Sequence, residues 1–278
     1  MIGQKNLLHQ IDTLIENNTF PRFSILVGPE GSGKKLMSKH IATKLNAIHT
    51  LRGVGVDDVR DLIQEAYKVS APIVYVVADA DKMSPAAKNA LLKVTEEPPK
   101  SAYIILTLTD LNNTINTVRS RGQVFYMDSY TVNDIDEYYH NNYSSFTDER
   151  KIVNELCQTP GEVDLLMTMY PPEFYEYVEK VVDNIAEVSG SNSFKIAQKI
   201  KFKDTDDNKY DLKLFWKAFM TICSSRLRED PHRYAEGIKI TSKYLQELRI
   251  TGINKQSTFD MWLLDIRKEW MYRGPDND

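Results

Sequence analysis

Cysteine is scarce: the chain has two in 278 residues, Cys157 and Cys223, far apart and in no Cys-x-x-Cys pair. This excludes a disulfide framework or a cysteine-based zinc site as the organising device, and it fits a reducing cytoplasm. Long apolar runs are missing too. No stretch approaches the roughly 18 apolar residues of a membrane span, and the opening Met1-Ile2-Gly3-Gln4-Lys5-Asn6 has no signal-peptide core. The expectation is a cytoplasmic chain with no membrane partner. Nor is there an excess of basic charge, since 35 Lys and Arg stand against 39 Asp and Glu for a net charge of −4. Wrapping nucleic acid over the whole surface is therefore excluded, although a local basic face is not. His140 and His232 carry no metal-ligand spacing, and the chain shows no internal repeats.

What is present is ordinary for a soluble globular protein: 42% hydrophobic and 27% charged residues. The length suits two or three domains. Leu7, Leu8, Ile11, Leu14 and Ile15 recur at helical spacing and predict an amphipathic first helix. Ile25 to Val27 end a buried strand, 46–52 hold a short one, and Val56 to Tyr67 return to helical spacing. Ile73-Val74-Tyr75-Val76-Val77 is apolar without alternation, as strands buried on both faces of a parallel sheet are. Ser84-Pro85 forms an N-cap and first-turn pair for a helix that Pro98-Pro99 ends. Tyr103 to Leu106 and Val124 to Met127 complete the strands. This alternation predicts a two-layer α/β domain with a parallel sheet over residues 1–128.

Beyond residue 128 the strand signal fades. Thr131 caps one predicted helix, Thr147 a second, and Thr159-Pro160-Gly161-Glu162 opens a third as a capping box with proline at N1. These make a small helical module over 129–170. Pro171-Pro172 then leads into an all-helical region, 171–278. Its apolar stripes run through Phe174, Tyr177, Val178, Val181 and Ile185, then Leu212, Phe215, Trp216, Phe219 and Cys223. Two more follow, through Tyr234, Ile238, Thr241, Leu245 and Leu248, and through Phe259, Trp262, Leu263, Ile266 and Trp270. A polar loop at 203–208 and a frayed tail at 273–278 complete the expectation.

Between the first strand and its helix lies Gly28-Pro29-Glu30-Gly31-Ser32-Gly33-Lys34-Lys35. Four residues separate the first glycine from Gly-Lys, the spacing of a phosphate-binding loop. Glycines let backbone N–H groups turn inward on phosphate oxygens, the helix N-terminus adds its dipole, and Lys34 brings a point charge. The same pattern wants Ser or Thr at position 35 to supply a hydroxyl to Mg²⁺, and Lys35 cannot. The loop is built for phosphate and spoiled for metal.

Further motifs carry a resemblance. Val76-Val77-Ala78-Asp79-Ala80-Asp81-Lys82-Met83 leads through Asn89-Ala90-Leu91-Leu92-Lys93 to Glu96-Glu97-Pro98-Pro99, and Thr117-Val118-Arg119-Ser120-Arg121 follows the third strand. With Ile2-Gly3-Gln4, and with Gly55 to Arg60, these stretches closely resemble bacterial DNA polymerase III clamp-loader AAA+ subunits, most like the delta-prime type. The likeness is strong over residues 1–125, fair to 170 and only architectural beyond. It implies an AAA+ P-loop domain, a helical lid and a helical collar that holds subunits in a hetero-oligomeric ring. The family's zinc module is missing, so no zinc is expected.

The departures from the family decide the expected mechanism. Where the family places a metal-organising Asp stands Ala78, and where it places a water-polarising Glu stands Asp79. Mg²⁺ needs near-octahedral oxygen ligation, so Mg²⁺ is not expected and ATP is a candidate ligand of a degenerate site. Asp164 falls where active relatives carry a nucleotide-sensing arginine. Thr109 matches a sensor position that contacts phosphate. Arg121 matches the arginine finger that reaches a neighbour's γ-phosphate, although a lone arginine by default makes a surface ion pair. Arg60, Lys82, Lys88 and Lys93 correspond to the DNA-facing interior, while scattered lysines are more often only solvated. The resemblance thus implies a non-hydrolysing clamp-loader subunit with other loader subunits, a sliding clamp and primed DNA as partners. The rivals are an active ATPase of the same family, with Asp79 catalytic, and an interaction scaffold that binds no nucleotide.

Overall fold

A computed structural model describes residues 1–114, 116–143, 149–186, 196, 198–202, 209–248 and 252–271. The expected helix start at Thr147, the 203–208 loop and the 273–278 tail lie outside the described residues. By contact density the chain divides into two compact units, one of residues 1–138 and 158–161, the other of 139–157 and 162–278.

The first unit is a five-stranded parallel sheet in the order β2-β3-β4-β1-β5. The strands are β1 (Phe23–Val27), β2 (Ile48–Arg52), β3 (Ile73–Val77), β4 (Ala102–Leu108) and β5 (Gln123–Tyr126). Every residue of β1 and β3 is buried, because side chains alternate between two covered faces. Phe23, Ile25, Val27, Tyr75, Ile104 and Leu106 pack toward α3 (Val56–Ala66) and α4 (Pro85–Glu96). Leu26, Val74, Val76, Ile105 and Phe125 pack with residues of α1 (Lys5–Glu16) and α2 (Lys34–Lys44). Helices thus cover both faces, so the unit has three layers rather than the expected two. The physical reason is that a strand apolar on both sides must be covered on both sides. Ser84 caps α4 as its sequence predicts, its hydroxyl accepting the Ala87 N–H at 3.2 Å. The four-residue helix α5 (Asn116–Arg119) leads into β5.

Helix α6 (Val132–Tyr143) starts at Thr131, whose hydroxyl accepts the Asp134 N–H at 3.2 Å. It is followed by α7 (Arg150–Leu156), α8 (Pro160–Thr168) and α9 (Pro171–Asn184). The second unit also holds α10 (Leu212–Ser225), α11 (Pro231–Glu247) and α12 (Lys255–Met271). Among the described residues, its region beyond 170 departs from all-helical in one place. Ile200–Lys201 (β6) and Tyr210–Asp211 (β7) pair in parallel, with Ile200 and Tyr210 buried.

The aromatic stripes are core. The Trp262 ring meets Phe215 and Phe219 edge-on at 5.7 and 5.1 Å, and Trp270 stacks on Phe219 at 5.7 Å. Trp262 Nε1–H donates to Thr241 Oγ1 at 2.9 Å, and Thr241 passes its own proton to Gly237 O at 2.7 Å. On α11 the buried face is Tyr234, Gly237, Thr241 and Tyr244, rotated from the predicted Ile238 and Leu245 because Gly237 lets the Trp270 indole lie against the helix. A Cβ at Gly237 would stand 2.8 Å from Trp270 Cζ2. Gly237→Ala should therefore cost about 1–3 kcal/mol, read as a lower urea midpoint at unchanged slope.

Glu162 is buried among two lysines of α10, with Lys213 and Lys217 Nζ each 2.8 Å from its carboxylate. Burial pushes the carboxyl up, but the two ammonium groups outweigh it and hold it below the ordinary glutamate range. The stabilisation is therefore present above about pH 4.5 and lost as pH falls through the depressed folded value. Glu162→Gln should destabilise by about 3 kcal/mol at pH 7 by leaving Lys217 buried without its counter-charge. The gap to wild type should narrow as pH falls below about 4.5 and close once it passes the depressed folded value, measured by urea unfolding across that range. Cys157 and Cys223 are buried and free, and burial pushes both thiols up to about 12.

Candidate functional site

The phosphate loop leaves the sheet at its centre. β1 lies between β4 and β5, and Gly28 N–H still pairs with Leu108 O at 3.1 Å. Gly31 and Gly33 then take φ of +74° and +84°, values only glycine adopts without strain. A side chain at Gly28 would enter Met127, its Cβ lying 2.7 Å from Met127 Cβ. α2 begins at Lys34 with no side-chain cap on its first turn, which leaves its N-terminal N–H groups for a ligand or water.

Lys34 is buried, and its ammonium donates to Gly28 O at 2.7 Å and Pro29 O at 2.8 Å. Burial lowers its pKa, while the carboxylates of Asp79, Asp81 and Glu30 work to keep it charged. Ser32 is fully buried, and its hydroxyl has no hydrogen-bond partner among the described residues. Pro29, Glu30 and Lys35 are exposed.

The acidic turn after β3 is held from β4. Asp79 sits at φ +55°, a left-handed conformation that costs a non-glycine residue free energy, and its N–H donates to Thr107 Oγ1 at 3.0 Å. Asp81 accepts from the Thr109 N–H at 2.9 Å and from the Thr109 hydroxyl at 3.0 Å. The Thr109 hydroxyl is thus committed to a carboxylate. Thr107, on which no expectation rested, orients the acidic turn. Its place two residues before Thr109 on an alternating strand was the available signal.

The remaining candidates lie elsewhere on this unit. The Arg121 guanidinium donates to Glu96 Oε1 and to Thr117 O, each at 2.6 Å, the surface ion pair that is an arginine's default. Arg60 pairs with Asp57 at 3.2 Å on a helix that also carries Asp58, Asp61 and Glu65. Lys82 and Lys93 are exposed and Lys88 half-buried along the acidic turn and α4. Asp164, in the second unit, accepts the Tyr143 hydroxyl at 2.9 Å. Sequence reading also missed three residues that grip the loop: Tyr130, Thr159 and Gly161.

The fit to nucleotide and to metal can be judged from these donors. For a phosphate group the residues fit: two glycines turn the loop at positive φ, Lys34 brings an ammonium, and Ser32 brings a buried hydroxyl without a partner among the described residues. For Mg²⁺ they do not, since positions 35 and 78 offer an ammonium and a methyl. No group of three or more His, Cys, Asp or Glu close enough to hold a metal occurs among the described residues. Gly31→Ala should cost about 1–2 kcal/mol through its positive φ alone, and its Cβ would also meet Thr159 Oγ1 at 2.7 Å. A guanidinium unfolding curve checks it.

The sheet order, the glycine loop after β1 and the acidic turn after β3 define an AAA+ P-loop fold. The solved structures agree. A DNA polymerase III gamma subunit-related protein of Thermotoga maritima aligns with a TM-score of 0.50 at 16% identity, over 94% of this chain and 99% of that one. The RuvB Holliday junction branch migration motor of the same organism gives 0.52 at 17% identity, over 81% and 76%.

Residues 48–131 match the family model described as DNA polymerase III, delta subunit. The delta' subunit of DNA polymerase III from Haemophilus influenzae is 34% identical over 96 residues, 32% of this chain and 29% of that protein. The tau subunit from Bacillus subtilis is 25% identical over 156 residues, 45% of this chain and 28% of that one. The chain spans less than a third of the length of these two curated relatives. The resemblance to clamp-loader AAA+ subunits is borne out.

Proposed function

We propose that this chain is a non-hydrolysing, delta-prime-like subunit of a sliding-clamp loader, acting in DNA replication and supplying Arg121 to a neighbouring subunit's ATP site. One observation carries the reading. The phosphate loop keeps its cradle and Lys34 while Lys35 and Ala78 give a metal no oxygen, and Arg121 is kept at an exposed position. Phosphoryl transfer depends on positioning and on neutralising charge around the γ-phosphate. A site without its metal ligands, with Asp79 one methylene shorter than the family's glutamate, is poorly equipped for that step. Arg121 is differently placed. Its partner Glu96 is exposed, and exposed pairs are worth about 0–1 kcal/mol, so the guanidinium can turn to a phosphate at little cost.

In this reading residues 1–128 form the AAA+ domain, 129–170 the lid and 171–278 the collar. The partners are other loader subunits in a hetero-oligomeric ring, the sliding clamp and primed DNA, in the cytoplasm. Lys82, Lys88 and Lys93, on the acidic turn and α4, are DNA-contact candidates. Arg60 is the weaker one, since four carboxylates share its helix. The match to the delta' relative supports the assignment.

The matches to gamma and tau subunits favour a second reading, an active ATPase with Asp79 polarising water. Phosphate release by the purified chain in Mg²⁺ separates the two. The expected rate is no higher than that of Lys34→Ala, and sustained turnover would overturn the proposal. Arg121→Ala should slow hydrolysis at the site it faces by on the order of 10³-fold, followed by single-turnover ATPase of the reconstituted ring. An unchanged ring would remove the finger role.

A further inference from the structure

Three successive carbonyls of the phosphate loop are held from outside it. Thr159 Oγ1 donates to Glu30 O at 3.1 Å, Gly161 N–H to Gly31 O at 3.1 Å, and the Tyr130 hydroxyl to Ser32 O at 2.9 Å. In a trans peptide the carbonyl of one residue and the N–H of the next point in opposite directions. Pinning these three oxygens therefore turns the N–H groups of Gly31, Ser32 and Gly33 to the other side of the loop. Ser32 N–H marks that side by donating to Pro29 O at 3.3 Å, the same oxygen that receives the Lys34 ammonium at 2.8 Å, which leaves the Gly31 and Gly33 N–H groups without a protein acceptor among the described residues. The pinned N–H groups thus turn away from the brace, to the side where the Ser32 N–H and the lysine converge on one carbonyl oxygen, as donors of an anion nest converge.

The grip tolerates no substitute at its closest point. A Cβ on Gly161 would stand 2.4 Å from Gly31 Cα. Tyr130 is half-buried, and burial raises its pKa, so it keeps the proton it donates.

We propose that Tyr130, Thr159 and Gly161 are positioning residues that set the phosphate loop in its anion-receiving shape ahead of any ligand. A nucleoside diphosphate or triphosphate is then held by the Gly31 and Gly33 N–H groups, Lys34 and the Ser32 hydroxyl without a metal ion. The inference rests on the metal-free site of the proposed function and gives that site its means of binding. A loop that must gather its donors on binding loses conformational entropy then, and one already braced loses less. The brace offsets part of what a missing cation would have contributed.

The test is a titration of the full chain with methylanthraniloyl-ADP, in Mg²⁺ and in EDTA. Thr159→Ala, Thr159→Ser and Tyr130→Phe are titrated beside wild type, each first shown by circular dichroism to be folded. The expected result is saturable binding whose Kd moves less than about twofold on removing the metal. Thr159→Ala and Tyr130→Phe should each raise Kd by about fivefold, the size of one neutral hydrogen bond. Thr159→Ser should restore it.

Absence of saturable binding, loss of binding in EDTA, or variants that bind as well as wild type or better would each overturn the inference. These failures differ from failure of the non-hydrolysing role, which would appear as Mg²⁺-dependent ATP turnover by the wild-type chain.

Discussion

Parallel pairing of β1, β4 and β3 is the constraint on which the rest of the first unit depends. Parallel strands present all their C-terminal ends at one edge, and ligand sites of open α/β sheets gather there. Here that edge brings three separate stretches of sequence together. The glycine loop follows Val27, the acidic turn follows Val77, and Thr109 follows Leu108. The register Val27↔Leu108 and Val77↔Leu106 sets their levels. Slipping β3 against β4 would part Asp79 from Thr107 and Asp81 from Thr109, and so undo the hydrogen bonds that shape the acidic turn.

Charges of both signs meet at that edge. Lys34 is the buried positive group, and Asp79, Asp81 and Glu30 are the carboxylates that oppose its loss of charge. Each neighbour of the loop also has a second task. Asp81 receives Thr109, Thr107 receives the Asp79 N–H, and the Thr159 hydroxyl donates to Glu30 O.

The second unit is held differently. Its long helices meet through rings rather than through a ladder, with Trp262 and Trp270 contacting Phe215 and Phe219 of α10. Edge-on and stacked aromatic pairs add about 0.5–1.5 kcal/mol each beyond the area they bury. Their geometry depends on close helix approach, which Gly237 permits at Trp270. Trp262 is buried whole and yet satisfied, because Thr241 at helical spacing from Gly237 accepts its N–H.

The sequence by itself determined the strands, the helices, the phosphate loop and the family likeness. These follow from local rules: unbroken apolar runs mark doubly buried strands, Ser84-Pro85 marks a helix start, and glycine spacing marks a loop that must take positive φ. It could also show what Lys35 and Ala78 lack, since an ammonium and a methyl have no oxygen to give. Tertiary structure alone decided which groups meet. Thr159 and Glu30 are 129 positions apart and Tyr130 and Ser32 are 98 apart, and no periodicity encodes contacts at such separations. The same holds for Arg121, whose partner Glu96 lies 25 positions back, and for the rotation of α11, which followed the space beside Gly237 rather than the hydrophobicity of Ile238 and Leu245. Local chemistry set each segment's conformation, and the three-dimensional packing of distant segments determined which hydrogen-bonding groups hold the loop.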